Sequence, residues 1–158
     1  MTMSTVSPLR TTGEEQLLTG WGRTSPSLAR VRAPRDTADI EQAIAEAGPR
    51  GLLARGLGRS YGDAAQSGGA TVLDMTGVSA LDLDANAGTL TAGAGASIDS
   101  ILRRIVPAGF FVPVTPGTRM VTVGGAIAAD VHGKNHHVDG TFGSHVLRLG
   151  LVGSTGER

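Results

Sequence analysis

The sequence predicts a mixed α+β domain, on three observations. Two segments carry apolar residues at helical spacing, around Ile40 and around Ile101. Between and after them lie short apolar runs of strand length, each bounded by turn residues. Two long glycine-rich segments interrupt this pattern, and 24 of the 158 residues are glycine with no repeating period. Helical and extended segments that do not alternate regularly point to mixed sheets with flanking helices rather than a doubly wound α/β sheet.

Residues 1–18 are rich in Ser and Thr and are read as a flexible tail, with no apolar stretch long enough for a signal peptide. Asp36 to Ala47 reads as an amphipathic helix: Ile40, Ala43, Ile44 and Ala47 share one face, Asp36 or Thr37 caps the start, and Gly48-Pro49 stops it. Gly51 to Ala54 reads as a short buried strand and Thr71 to Met75 as another. Leu81–Asp84 and Thr89–Ala92 flank Ala85-Asn-Ala-Gly88 as a hairpin. Ser97 caps a second helix with Ile98, Ile101, Leu102 and Ile105 on one face, closed by Pro107 and Gly109. Phe110 to Val112 and Val146 to Val152 read as strands. Turn chemistry at Gly153-Ser-Thr-Gly156 would start a hairpin after the second, so the chain is expected to be part of something longer. No internal repeat or linker divides residues 19–158.

Composition excludes several classes. Formal net charge is zero, with 14 basic and 14 acidic residues, so no basic footprint for nucleic acid exists. With no cysteine, disulfides, thiolate metal sites and cysteine nucleophiles are out. No apolar run approaches the ~20 residues of a membrane helix.

The first glycine segment reads Ala54-Arg-Gly-Leu-Gly-Arg-Ser-Tyr-Gly-Asp63. Tyr61 stands where the third glycine of a Rossmann turn would be, and no helical pattern follows, so that site is disfavoured. The loop suits a pyrophosphate wrapped by backbone N–H groups, with Arg55 and Arg59 neutralising charge; the alternative is an ordinary glycine-rich turn. In the second segment, Thr122-Val-Gly-Gly125 starts a short helix through Ala129 whose free N–H groups would face an anion. The alternative is close packing against a sheet. His132 and His136 are four apart, but Gly133 and Asn135 oppose a helix and no HExxH pattern appears, so no metal site is assigned. Lys134 suits an anionic group and His132 a ring or hydroxyl; a locally hydrogen-bonded polar loop is the alternative. Asp130 caps or pairs with a neighbour. Trp21 reads as an anchor for the N-terminal segment.

Thr19-Gly-Trp-Gly-Arg-Thr24, the first glycine segment and Gly124-Gly-Ala-Ile-Ala-Ala-Asp-Val-His-Gly-Lys-Asn-His-His137 resemble the PCMH-type FAD domain of the vanillyl-alcohol-oxidase-type flavoenzymes. Within these, they are most similar to the oxidase subunits of decaprenylphosphoryl-β-D-ribose 2'-epimerases, from about Leu17 to the last residue. The resemblance implies the N-terminal portion of an FAD-binding PCMH-type domain over 19–158. It implies an enzyme that oxidises the 2'-hydroxyl of a polyprenylphosphoryl ribose to a ketone, with flavin as hydride acceptor and a separate NAD-dependent reductase as partner, for arabinan precursors of the cell wall. Such an enzyme would be cytoplasmic or peripheral at a membrane. Carried over, Ala54, Arg55, Gly56, Leu57, Gly58, Arg59, Ser60, Tyr61, Gly62, Asp63 and Ala64 would line FAD. So would Gly117, Thr122, Val123, Gly124, Gly125, Ala129, Asp130, Val131 and His132. Tyr61, His132 and Lys134 would serve catalysis. Many members of the wider family bind flavin through a histidine in the first loop; Arg59-Ser60 stands there, which implies non-covalent FAD. Ala129 stands where close relatives can carry cysteine, so no thiol is needed there. The family's full enzymes are much longer. An aldonolactone-type sugar oxidase or a non-catalytic flavin-binding fragment are the other readings.

Overall fold

A computed structural model describes residues 13–155. Strands β1 (Glu14–Leu18), β2 (Ser27–Arg32), β3 (Leu52–Arg55) and β4 (Thr71–Asp74) form one sheet in the order β1-β2-β4-β3. β1 is antiparallel to β2, while β2 and β3 both run parallel to β4. Central β4 places Val72 and Leu73 at 0% and 1% exposure, as expected for a parallel strand covered on both faces. Its register sets Val72 between Val31 and Leu53.

Parallel neighbours need long connections. Helix α1 (Thr37–Ala45) lies between β2 and β3. Asp36 caps it, accepting from the Asp39 N–H at 2.9 Å, and Asp39 accepts in return from the Arg35 N–H at 2.9 Å. No helix joins β3 to β4. The first glycine segment is that crossover, and this places it at the C-terminal end of β3.

The second layer is built on the hairpin β5 (Leu81–Asp84) and β6 (Thr89–Ala92), antiparallel in the register Leu83↔Leu90. Gly88 takes the left-handed conformation (φ 65°) that its turn requires. Helix α2 (Ile98–Ile105) starts at Ser97, whose hydroxyl accepts from the Ser100 N–H at 3.0 Å. Ile98, Ile101 and Ile105 are buried with Ala96 and Val123, and Leu81, Leu83 and Leu90 pack against them. Asp99 pairs with Arg103 and Arg119, each at 2.8 Å. The Arg103 hydrogen bond, with the charges of both arginines, holds the Asp99 carboxyl below its ordinary value. Two short helices follow, α3 (Val123–Ala128) and α4 (His136–Asp139). Ile98→Ala removes a fully buried side chain at the centre of this layer and is expected to cost about 2–5 kcal/mol. The urea midpoint of unfolding checks this; an unchanged midpoint would place Ile98 outside the core.

Three expectations are corrected. The tail reading through residue 18 fails over Glu14–Leu18, which form edge strand β1, because pairing with β2 orders a segment whose own sequence is weakly patterned. Of the rest of that stretch, 1–12 lie outside the described residues. Phe110–Val112 is irregular: the Phe110 N–H closes the turn after α2 on the Ile105 carbonyl at 3.1 Å, and Pro113 and Pro116 supply no ladder donors. Residues 146–152 pair with no strand among the described residues, and Leu147, Leu149 and Leu151 are exposed.

Candidate cofactor site

The loop leaving β3 is held from below by its own arginine. Arg55 donates to the Ala65 carbonyl at 2.7 Å and the Thr19 carbonyl at 2.8 Å. Gly58, buried and left-handed (φ 65°), sits so close that a Cβ there would strike the Arg55 guanidinium. Arg59 donates to the Met120 carbonyl at 3.0 Å and lies 4.2 Å above the Trp21 ring. Both guanidinium groups thus shape the loop through neutral carbonyl acceptors and keep their positive charge beside it. The Trp21 N–H donates to the Ser60 carbonyl at 2.6 Å and the Gly22 N–H to the Tyr61 carbonyl at 3.0 Å. Among the described residues, the N–H groups of Leu57 to Ala64 donate to no protein acceptor. A row of unengaged N–H groups on a loop with three glycines fits a pyrophosphate.

The second segment differs from expectation. Thr122 caps α3, accepting from the Gly125 N–H at 3.2 Å. The Val123 N–H goes to the Ala96 carbonyl and the Gly124 N–H to the Ala94 carbonyl, both at 2.8 Å. The helix start thus has its first donors satisfied inside the protein and does not offer them to an anion. Gly124 is packed tightly, since a Cβ there would stand 3.1 Å from the Ala94 carbonyl. Thr122, at 3% exposure, joins the two glycine segments: its side chain occupies the space a Cβ on Gly56 would need. Val123 is buried, whereas Gly125, Ala129 and Asp130 are exposed. Asp130 is left-handed (φ 40°) and accepts from the Gly143 N–H at 2.9 Å, which fixes the turn into Val131 and His132.

Beyond that turn opens a cleft of about 710 Å³. One wall carries Phe111, Val112, Pro113, Thr115, Pro116 and Gly117; the other carries His132, Gly133, Lys134, Asn135 and His136. Asn135 ties the walls, donating to the Pro113 carbonyl at 3.0 Å. Gly133 allows their approach, since a Cβ there would lie 2.8 Å from the Thr115 carbonyl. The His132 and His136 rings meet edge to face at 5.1 Å. Lys134 is exposed and has no ion-pair partner among the described residues. No group of three or more metal-ligating side chains converges among the described residues. His132, Lys134 and Gly117 thus share one cleft. Tyr61 does not line it; it is 77% exposed on the first loop. The sequence reading missed that Thr19–Arg23 packs on the loop backbone; the small-aromatic-small run Gly20-Trp-Gly22 was the available signal.

A glycine-lined loop with its N–H groups unengaged, tied to a short capped helix beside an open cleft, defines a nucleotide-cofactor-binding domain. The chain belongs to the FAD binding domain family, which matches residues 28–158, and FAD is its cofactor. It is 49% identical over 144 residues to decaprenylphosphoryl-beta-D-ribose oxidase of Mycolicibacterium smegmatis, covering 89% of this chain and 31% of that protein. The chain therefore spans less than a third of that relative's length. Cholesterol oxidase from Brevibacterium sterolicum shares the fold at 21% identity, with a TM-score of 0.67, over 84% of this chain and 27% of that one. A histidine-to-alanine variant of the same oxidase gives 22% identity and 0.64, over 76% and 24%.

Proposed function

We propose that this chain is the pyrophosphate-holding part of an FAD-dependent oxidoreductase that oxidises the 2'-hydroxyl of a polyprenylphosphoryl ribose to a ketone. The observation that carries the reading is the cleft, whose lining combines Lys134, without an ion-pair partner among the described residues, with the apolar Phe111, Pro113 and Pro116. An amphiphilic anion matches both walls. The 49% identity to a decaprenylphosphoryl-ribose oxidase supports the sugar. Bound flavin supplies the two-electron oxidising capacity that no side chain has.

The chain's own residues bind and orient. The N–H groups of Leu57 to Ala64 take the pyrophosphate, and Gly56 and Gly58 keep side chains out of its way. Gly117, Thr122 to Gly125 and Ala129 to Val131 form the backbone along which the rest of the cofactor lies. Lys134 holds an anionic group, and His132 orients the ring or hydroxyl next to it. Tyr61 closes over the cofactor from the loop. The flavin is non-covalent, because residues 54–64 contain no histidine or cysteine to attach it. The product ketone passes to an NAD-dependent reductase. No helix among the described residues is long and apolar enough to cross a membrane.

The test uses full-length protein loaded with FAD under anaerobic conditions. Polyprenylphosphoryl ribose is expected to bleach the visible flavin band with formation of a keto sugar, and acid denaturation to release all flavin to the supernatant. Bleaching by an aldonolactone alone would reassign the substrate. No bleaching by either would remove the catalytic reading, and flavin retained by the precipitate would overturn non-covalent binding.

A further inference from the structure

We propose that Thr19–Arg23 is a clasp that aims the cofactor loop's N–H groups, with Trp21 and Arg59 as positioning residues for flavin retention. The inference rests on the FAD reading of the loop. The family match begins at residue 28, so the clasp lies outside the part that defines the family. Yet it packs directly on the loop backbone. Gly20 is buried and has no room for a Cβ against the Gly62 and Ser60 carbonyls.

The argument comes from peptide geometry. In a trans peptide the carbonyl and the following N–H lie in one plane and point in opposite directions. The Ser60 carbonyl is drawn to the Trp21 N–H at 2.6 Å, and the Tyr61 carbonyl to the Gly22 N–H at 3.0 Å. The N–H groups of Tyr61 and Gly62 share those planes. They must therefore point away from the clasp, toward the open side of the loop. Two consecutive donors are thus presented together without either touching a charged side chain.

Trp21 locks the arrangement. Its indole carries the Arg59 guanidinium at 4.2 Å, and Arg59 reaches on to the Met120 carbonyl at 3.0 Å. The clasp, the loop and the 116–121 segment are joined through one side chain. Arg55 makes the second tie, to the Thr19 carbonyl at 2.8 Å. Trp21 is 53% exposed, so its removal opens no core cavity.

The experiment measures FAD affinity and dissociation rate by flavin fluorescence in full-length protein, alongside the melting temperature of the cofactor-free form. Trp21→Ala keeps the backbone N–H groups of the clasp but removes the ring that pins Arg59, and is expected to weaken FAD binding about tenfold through faster dissociation, since a less firmly held clasp orients the loop's donors less well. Trp21→Phe, which keeps a ring for Arg59, is expected to restore most of it. The cofactor-free melting temperature is expected to be the same in all three proteins. Parental affinity in Trp21→Ala overturns the clasp, as does a fall in cofactor-free melting that accounts for the loss, or failure of Trp21→Phe to rescue. Gly58→Val separates the two ideas: if it too keeps parental affinity, the loop assignment itself is wrong.

Discussion

Gly58→Val is expected to weaken FAD binding by up to about a hundredfold. Gly58 is left-handed, where a β-branched residue is strained by about 1–3 kcal/mol. Its Cβ would also press on the Arg55 guanidinium, which can move aside only by loosening its bonds to the Ala65 and Thr19 carbonyls. The loop relaxes by giving up one of those anchors, and the row of N–H donors is lost as a set. At 1.4 kcal/mol per tenfold, strain of that size lowers affinity by about fivefold to a hundredfold. Gly109→Val is the control. It is left-handed too (φ 85°) but has open space around it at the end of α2. It carries comparable backbone strain far along the chain from the loop, so stability should drop while FAD affinity holds. Equal loss of flavin in both variants would reduce the effect to general unfolding.

Lys134→Ala is expected to lower turnover about a hundredfold while the flavin-to-protein ratio stays near the parent's. The ammonium stands on the polar wall of the cleft, two residues from His132, with no carboxylate to neutralise it among the described residues. A cation placed beside developing or resident negative charge contributes on the order of two decades of rate. Removing it leaves the first loop untouched, so binding and turnover should separate. Steady-state kcat with flavin content measured in the same preparation decides the matter. Unchanged turnover would take Lys134 out of the active site, and equal loss of flavin would make it a cofactor ligand.

Much of the fold was legible because its signals are local. The α1 boundary at Asp36, the Ser97 cap and the β5–β6 turn at Gly88 each depend on residues within a few positions, and each formed where the sequence placed it. What failed depends on distant partners. Glu14–Leu18 becomes a strand only because β2 lies beside it, and Ser27–Arg32 was not read as a strand at all, its two arginines diluting a Leu-Ala-Val pattern. Val146–Val152 has strand composition and no pairing edge among the described residues. The candidate site divides the same way. Glycine spacing revealed both segments, and the family resemblance gave the cofactor. Whether an N–H is free is a question about carbonyls elsewhere. Ala94 and Ala96 claim the start of α3, which no reading of residues 122–125 could anticipate. Arg59 is a strut as well as a charge, because it stacks on Trp21 and donates to the Met120 carbonyl.

The ties around the first loop also set when it forms. Arg55 meets a carbonyl 36 positions away, Arg59 one 61 positions away, and Gly56 fits against Thr122. The hairpin and the capped helices close over a few residues each. Long closures recover their entropy only after the segments between them have collapsed. The cofactor cradle therefore depends on closures across 36 and 61 residues, and a chain holding only its hairpin and capped helices would have local structure in place and still be blind to flavin.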